Sequence, residues 1–227
     1  MEFRTYGFVK RFKVVSVVLA AAALLFFTQS AVLGAEGKYL SRYSADKSVR
    51  QLVLVEQIDG SKANLRLYVK ENDSWKYKMQ CDAFIGKAGT GKTKEGDMKT
   101  PLGDYKFTMA FGIKDDPGSK IAYTKLTDSM YWCGDREYYN RFVDTSKIQH
   151  QCSESSEHLI EYTKAYAYAL ALDYNKENEW GKGSGIFLHC CGNHEYTAGC
   201  VAVPEDDMIE ILRTVEPNAH ICIYKAN

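Results

Sequence analysis

Three strand-like segments that follow one another constrain the fold of this chain more than any other feature of its sequence. They are QLVLVEQ (51–57), ANLRLYVKE (63–71) and WKYKMQCDAFIG (75–86), each rich in β-branched and aromatic residues. Short turn signals separate them, at residues 59–61 (Asp-Gly-Ser) and 72–74 (Asn-Asp-Ser). Because strands joined by such short turns usually pair with their neighbours in the chain, we predict an antiparallel β meander.

The rest of the chain predicts a mostly β domain with short helices, of the α+β class. A helix is expected at Ser153–Tyr162. A second is expected to open at Pro204, with the proline at its first position and the acidic residues behind it favouring its N-terminus. Its apolar face would consist of Met208, Ile211, Leu212 and Val215. The stretch 112–152 lacks periodicity, and a loop of that length is typical of a functional or capping segment. Further strands are expected around Tyr105–Phe111, in the alternating stretch 166–174, in GIFLHCC (185–191) and in HICIYK (220–225).

The composition argues against nucleic acid as a partner. The 227 residues carry 29 Lys and Arg against 29 Asp and Glu, whereas nucleic-acid-binding domains usually have a basic excess. Apolar residues make up 45% of the chain and charged residues 26%, which are ordinary values for a globular domain. A disordered or low-complexity chain is therefore excluded.

Residues 1–35 are predicted to be a signal peptide or an N-terminal membrane anchor. Basic residues precede an apolar run of 14 residues, Val14 to Phe27, and small residues follow it. A signal-peptide core spans about 7–15 residues, whereas a membrane-spanning helix needs about 20. We therefore expect an extracytoplasmic protein, which is secreted, periplasmic or associated with the cell wall, with membrane contact only through an uncleaved anchor. Residues 36–50 are predicted to be a linker and residues 51–227 one domain.

Residues 86–93, GKAGTGKT, match the phosphate-binding P-loop pattern completely, yet we do not predict a nucleotide site there. A P-loop requires a helix directly after it, whose N-terminus and loop N–H groups hold the phosphates. The residues that follow, KEGDMKTPLGDY, contain two glycines and a proline and have no apolar period. The match is therefore attributed to chance.

The segment HCCGNHEYTAGCVAVP (189–204) concentrates reactive side chains. A cysteine nucleophile needs a base that lowers the pKa of its thiol, and His189 at the end of a buried strand is the candidate base for Cys200. Gly199 would let the backbone approach a substrate carbonyl, and nearby N–H groups could form an oxyanion hole. The group that orients the imidazole is not identifiable from the sequence.

Two other interpretations of this segment stay open at this point. A metal site would use His189, Cys190, Cys191, His194 and Cys200, but no C-x-x-C pair is present and adjacent strand residues point to opposite faces. Alternatively the cysteines only pack, as free cysteines often do, and this is what we expect of Cys81, Cys133, Cys152 and Cys222. We predict no bound metal and no other cofactor.

Two separated blocks resemble the L,D-transpeptidase catalytic domain, the YkuD-like family of cell-wall enzymes. One is GSGIFLH with TAGCVAVPEDDM (183–208), which is similar to the family's histidine followed by [Ser/Thr]-x-Gly-Cys. The other is GKAGTGKTKEGDMKTPLGDYKF (86–107), which is similar to its Gly-rich segment ending in a Thr-Pro-x-Gly turn. The resemblance extends from about Gln51 to Lys225. It implies that 51–227 is a catalytic domain with a sandwich-like or barrel-like β fold.

The resemblance also implies a reaction and assigns roles. Cys200 would be the nucleophile and His189 the general base and later acid, while Gly199 and Thr197 shape the oxyanion region. The thiolate would be acylated by a peptidoglycan tetrapeptide stem with loss of D-Ala, and an amine of a second stem would resolve the thioester into a 3→3 cross-link. Peptidoglycan stem peptides are therefore the expected partners, with no metal, nucleotide or nucleic acid.

The chain departs from the family pattern at two positions near the cysteine. Many members carry His before the Gly-Cys pair and Arg two residues after the Cys, where this chain has Ala198 and Ala202. His194 could supply part of the missing polarity in substrate binding, and the aromatic-rich stretch 123–142 could either bind substrate or form a structural cap. Hydrolysis by an L,D-carboxypeptidase and a catalytically silent wall-binding module are the alternative functions.

Overall fold

The predicted β meander is present and forms one side of a larger sheet. The computed structural model describes residues 36–153 and 155–225. In it, β1 (Gln51–Asp59), β2 (Lys62–Glu71) and β3 (Ser74–Phe84) pair antiparallel in chain order, as the two turn signals predict. The first six residues of β1 are buried, so this strand lies in the interior of the fold.

Contacts divide the chain into a unit that ends at Arg42 and a second unit from Tyr43 to Asn227. Within the first unit, residues 36–42 are helical and are called α1. The predicted signal peptide or anchor, residues 1–35, lies outside the described residues, so export and the predicted domain boundaries stay predictions. In the part of the chain that the structure describes, no helix has the length and apolarity needed to cross a membrane.

Within the described residues, nine further strands complete two sheets. They are β4 (Gly103–Gly112), β5 (Tyr123–Lys125), β6 (Met130–Cys133), β7 (Arg141–Asp144), β8 (Glu157–His158), β9 (Ala169–Leu172), β10 (Phe187–Cys190), β11 (Val201–Val203) and β12 (His220–Lys225). The domain is thus mostly β, as predicted.

The larger sheet closes on itself into a barrel-like form. Its nine strands run in the order β12-β1-β2-β3-β11-β10-β9-β4-β5, and β12 also pairs with β4. Strand β12 is parallel to β1, with Leu52 opposite His220, and antiparallel to β4, with Lys106 opposite His220. The last strand of the chain therefore joins the first strand of the domain to β4.

The smaller sheet, with strand order β7-β6-β8, comes largely from the stretch in which the sequence shows no periodicity. It packs over one face of the large sheet near β9 and β10. Between the two sheets lies an apolar cluster that includes Phe111, Trp132, Tyr166, Phe187 and Cys200. The small sheet thereby covers the strand end where the candidate nucleophile lies.

The opposite face of β10 packs into the main core, together with a helix. Helix α2 (Glu205–Thr214) begins after Pro204 and carries three acidic residues in its first turn, which the positive N-terminus of a helix favours. Its predicted apolar face is buried, with Met208, Ile211 and Leu212 fully covered. The same core contains alternate residues of the large sheet, so α2 packs against one face of that sheet.

The helix predicted at Ser153–Tyr162 is wrong. The described part of this segment contains β8, whose residues Glu157 and His158 lie opposite Trp132 and Tyr131 of β6, followed by one turn of 3-10 helix at Leu159–Glu161. Leu159 is fully buried in the cluster between the sheets. Pairing with β6 and burial of Leu159 thus outweigh the local helix-start signals at Ser and Glu.

Candidate active site

Cys200 lies at the edge of the barrel, one residue before β11 and beside β10. Its thiol donates to the carbonyl oxygen of Gly185 at 3.2 Å and accepts from the amide of Phe187 at 3.3 Å. The residue is 8% exposed, and this remaining exposure faces a cavity. Two backbone groups therefore hold the Sγ atom at the cavity wall.

The backbone at Cys200 is held by two threonines from the two sequence blocks. The carbonyl oxygen of Cys200 accepts from Oγ1 of Thr197 at 2.7 Å and from Oγ1 of Thr100 at 3.1 Å. Thr197 also accepts from the Gly199 amide at 3.1 Å, and Thr100 accepts from the Gly86 amide at 2.8 Å. The Gly-rich block thus supports the backbone of the cysteine segment. No helix follows residues 86–93, which agrees with our prediction that this segment is not a P-loop.

His189 lies on β10 and is 7% exposed. Its Nδ1 is 2.7 Å from the carbonyl oxygen of Cys190. Because a carbonyl can only accept, Nδ1 carries the proton and Nε2 is left with a lone pair, which is the tautomer a general base needs. The orienting group that the sequence does not identify is therefore the backbone carbonyl of the next residue.

Both candidate catalytic groups are neutral in this resting state. Burial raises the pKa of the Cys200 thiol to about 12, the carboxylate of Glu157 adds to this, and the Phe187 amide and Lys92 act in the opposite direction. Burial lowers the pKa of His189 to about 4. No hydrogen bond joins Sγ of Cys200 to the His189 ring, although both residues are among those the structure describes.

Tyr166 connects the neighbourhoods of the two groups. Its ring packs edge-on against the His189 ring, with centroids 5.6 Å apart, and it belongs to the same apolar cluster as Cys200. Its hydroxyl donates to Oε2 of Glu157. Burial raises the pKa of the Glu157 carboxyl, although the Tyr166 hydrogen bond opposes this shift. Glu157 and Tyr166 thus form a buried polar pair beside the thiol, and the sequence does not single out either.

The cavity beside Cys200 has a volume of about 430 Å³ and a mixed apolar and charged lining. Trp132, Tyr139 and Trp180 supply aromatic surface. The charged side chains in the wall are Lys92, Glu95 and Glu157. The aromatic-rich stretch 123–142 therefore contributes directly to the wall, through Trp132 and Tyr139.

Most charges in this wall are fixed by partners. Nζ of Lys92 lies 3.0 Å from Oδ1 of Asp97, and the two side chains are only 2% and 8% exposed. Burial works against ionisation of Asp97, but backbone amides beginning with that of Thr93, together with Lys92, outweigh it and hold its pKa at about 2. Glu95 accepts from the hydroxyls of Tyr139 and Ser184. The wall therefore presents oriented charges rather than mobile ones.

The structure brings together four of the five residues predicted for the site. Cys200, Gly199 and Thr197 form one turn, and His189 lies on the same face of β10 as Phe187, the neighbour of Cys200. His194 is the exception, because its ring is exposed, stacks on Tyr196 at 5.0 Å and does not line the cavity.

The alternative metal set in segment 189–204 does not converge. Cys190 packs into the main core on the opposite face of β10, where its thiol donates to the Tyr168 carbonyl at 3.5 Å. Cys200 belongs to the other cluster, and His194 is exposed. The alternation of faces along a strand thus separates these potential ligands.

Comparisons with known proteins give one match to a family. The model of the L,D-transpeptidase catalytic domain (YkuD) matches residues 56–223. No curated protein sequence matches this chain.

Similar solved structures have low identity and low TM-scores. They include Bd1075 of Bdellovibrio bacteriovorus (18% identity, TM-score 0.43, covering 78% of this chain and 48% of that one). The helical cell shape determining protein Pgp2 of Campylobacter jejuni is 16% identical with a TM-score of 0.45, and the match covers 84% of this chain and 55% of that one. An L,D-transpeptidase of Mycobacterium smegmatis is 12% identical with a TM-score of 0.36, and the match covers 77% of this chain and 58% of that one. This chain therefore spans about half the length of the solved structures it matches.

Proposed function

The chain belongs to the L,D-transpeptidase catalytic domain family, and from that premise we propose that it is an exported cysteine acyltransferase acting on peptidoglycan tetrapeptide stems. The observation that carries the proposal is the cavity-facing thiol of Cys200 on the same sheet face as His189, whose free Nε2 is set by the bond from Nδ1 to the Cys190 carbonyl. Residues 1–35 would direct export.

The reaction is acyl transfer through a thioester. Nε2 of His189 takes the thiol proton, and the thiolate of Cys200 attacks the carbonyl of the L-centre of the diamino acid at stem position three. The bond to the D-Ala nitrogen breaks, and the imidazolium returns its proton to the leaving amine. An amine of a second stem then attacks the thioester, which gives a 3→3 cross-link and frees the thiol.

Substrate binding has to activate a site that rests in its neutral form. Burial holds the pKa of the Cys200 thiol far above neutral pH, so the thiol is protonated before substrate binds. We propose that the thiol leaves the Gly185 carbonyl and turns toward His189 when substrate enters, since hydrogen bonds between catalytic groups often tighten only in the complex. The neutral resting state also protects the thiol from side reactions, which depend on the thiolate.

Gly199 contributes through its missing side chain. Its amide donates to Thr197, so this N–H is already used within the turn. A Cβ atom at this position would come within 3.0 Å of the Lys99 carbonyl oxygen and 3.1 Å of Cδ1 of Ile186. It would also lie 3.6 Å from Nζ of Lys92.

The ammonium group of Lys92 thus lies beside this turn. We propose that it stabilises the negative charge that develops near Cys200 during the reaction.

The cavity wall suits a peptide that carries a free amine. Glu95 and Glu157 offer carboxylates on the wall, and Trp132, Tyr139 and Trp180 offer flat apolar surface. A diamino acid has both an aliphatic stem and an amine, so it can use both kinds of wall. His194 lies outside this wall, and the proposal assigns it no role in binding.

The proposal is tested by intact-protein mass spectrometry of the purified full-length chain mixed with a tetrapeptide-stem muropeptide. An adduct equal to the stem minus D-Ala is expected, and it should be absent in Cys200→Ala. Cys190→Ala is the matched control, because Cys190 is also a buried cysteine nearby but faces the other side of the sheet. Absence of both adduct and free D-Ala, with a folded protein, would refute the proposal.

The fate of the adduct separates the two acyl acceptors. If it persists until an amine acceptor is added, the chain is a transpeptidase. If it decays in water at the same rate with and without the amine, the chain is an L,D-carboxypeptidase.

A further inference from the structure

A second cluster of reactive side chains lies at the edge of the small sheet, away from Cys200. Cys133 is the last residue of β6, and Asp135 follows it by two positions. His150 and Cys152 come from the stretch between β7 and β8. The ligand atoms of Cys133, His150 and Cys152 all lie within 4.8 Å of one another.

Two distances from the His150 ring match those between ligands of a tetrahedral zinc ion. Nε2 of His150 is 3.4 Å from Sγ of Cys133 and 3.2 Å from Oδ2 of Asp135. Zinc bonds of about 2.3 Å to sulfur and about 2.0 Å to nitrogen and oxygen would place these atom pairs about 3.6 Å and about 3.3 Å apart in a tetrahedron. One ring nitrogen thus faces both a thiol and a carboxylate at nearly the required separations.

The surroundings provide outer contacts and an entry path. The Ser153 amide donates to Asp135 at 3.0 Å, and the Ser155 hydroxyl donates to it at 3.2 Å. The Ser156 hydroxyl donates to Sγ of Cys133 at 3.6 Å. Such outer partners orient the ligands of a metal site. Cys133 is fully buried, whereas the side chains of His150 and Asp135 are 17% and 21% exposed, so an ion can reach them from solvent.

We propose that Cys133, Asp135, His150 and Cys152 bind one Zn²⁺ ion in a structural site. Both thiols release their protons to solvent on binding, and His150 binds as neutral imidazole. The ion would join the end of β6 to the segment before β8. Trp132 and Gly134, which flank Cys133 in the chain, line the cavity beside Cys200, and so does Ser155, three residues after Cys152. This proposal differs from the expectation that Cys133 and Cys152 only pack.

A disulfide between Cys133 and Cys152 is the competing state. It would satisfy the two sulfur atoms but would leave the approach of His150 to both Cys133 and Asp135 unexplained. A zinc ion uses all four groups, which is why the proposal commits to the metal.

The test measures zinc directly on the full-length chain, purified in parallel with and without a reductant so that a disulfide can be detected in the second sample. Native mass spectrometry and metal analysis should find one zinc per chain, and Co²⁺ in its place should give a thiolate charge-transfer absorption band. His150→Ala, Asp135→Asn and Cys152→Ser should each weaken zinc binding, by about 100-fold or more for the histidine and cysteine variants. His158→Ala and Cys191→Ser are matched controls outside the cluster and should retain the ion.

Thermal unfolding gives a second readout that is independent of acyl transfer. Chelation should lower the Tm of the parent chain and of the two controls, and it should leave that of Cys152→Ser unchanged. Free thiols without bound zinc, a mass lower by two hydrogens from a Cys133–Cys152 disulfide, or zinc retained at full affinity in both His150→Ala and Cys152→Ser would each overturn the proposal. None of these outcomes depends on the Cys200 adduct, so the two proposals fail independently.

Discussion

Replacing Thr197 with Val should destabilise the domain far more than the loss of one hydroxyl usually does. The hydroxyl donates to the Cys200 carbonyl and accepts from the Gly199 amide, and all three residues are buried. Valine keeps the shape and the β-branch, so packing changes little. The Cys200 carbonyl keeps its bond from Thr100, but the Gly199 amide is left buried without a partner.

The magnitude follows from these two bonds. An unpaired buried donor costs about 1–3 kcal/mol, and the loss of the bond to Cys200 adds about 1 kcal/mol. We therefore expect the free energy of unfolding to fall by about 2–4 kcal/mol. Thr214→Val is the matched control, since both threonines are 9% exposed and the Thr214 hydroxyl only donates to the Glu210 carbonyl within α2. Its expected cost is about 0.5–1.5 kcal/mol.

Urea unfolding at neutral pH measures both variants on the same scale. Thr197→Ser, which keeps the hydroxyl, should recover most of the loss. If Thr197→Val loses no more stability than Thr214→Val, the threonine does not hold the cysteine turn and the reasoning is refuted. The acyl adduct should also form more slowly in Thr197→Val, because the backbone at Cys200 is no longer fixed.

Two further predictions concern buried charge. The pKa of His189 is about 4 in the folded chain and about 6.5 in the unfolded chain, so the unfolded chain takes up the proton first as the pH falls. Acidification from pH 6.5 to pH 4 should therefore lower the free energy of unfolding of the parent chain by about 3 kcal/mol. His189→Gln, which has no such group, should not show this loss. Equal acid sensitivity of the two proteins in urea titrations would contradict this. Lys92→Met should cost about 1.5–3 kcal/mol, because Asp97 loses the bond from its cation and keeps those from the backbone amides. Lys182→Met, in an exposed pair with Glu179, should cost about 1 kcal/mol or less by the same measurement, and equal losses would count against a buried pair.

Local patterns predict the elements whose burial follows from their own sequence. Examples are the meander, β10, β12 and α2. In each of them the positions of the apolar residues along the segment indicate which side is buried. The closure of the large sheet is different, since the pairing of β12 with β1 joins segments about 170 residues apart and no local pattern encodes it. At residues 153–162 the local signal is overruled by pairing with β6.

The same distinction applies to the site. Cys200 and His189 lie in a recognisable motif, so their side chains could be proposed from the sequence. Glu157 is placed by the small sheet, which the sequence does not predict, and the orienting group of His189 is a backbone carbonyl, which has no residue signature. Lys92 and Asp97 lie within or beside the false P-loop match, where their pairing becomes visible only once the loop is folded.

The position of β12 between β1 and β4 has a consequence for the order of folding. Both partners expose unpaired edges until the segment His220–Lys225 is available, and such edges readily pair with other chains. When the chain is synthesised or exported from its N-terminus, the meander forms before His220–Lys225 is available. Its edge at β1 would therefore stay unpaired until the rest of the chain has emerged. Removal of this one strand should favour aggregation over a smaller folded domain, and a factor that binds extended strands would protect the chain during that interval.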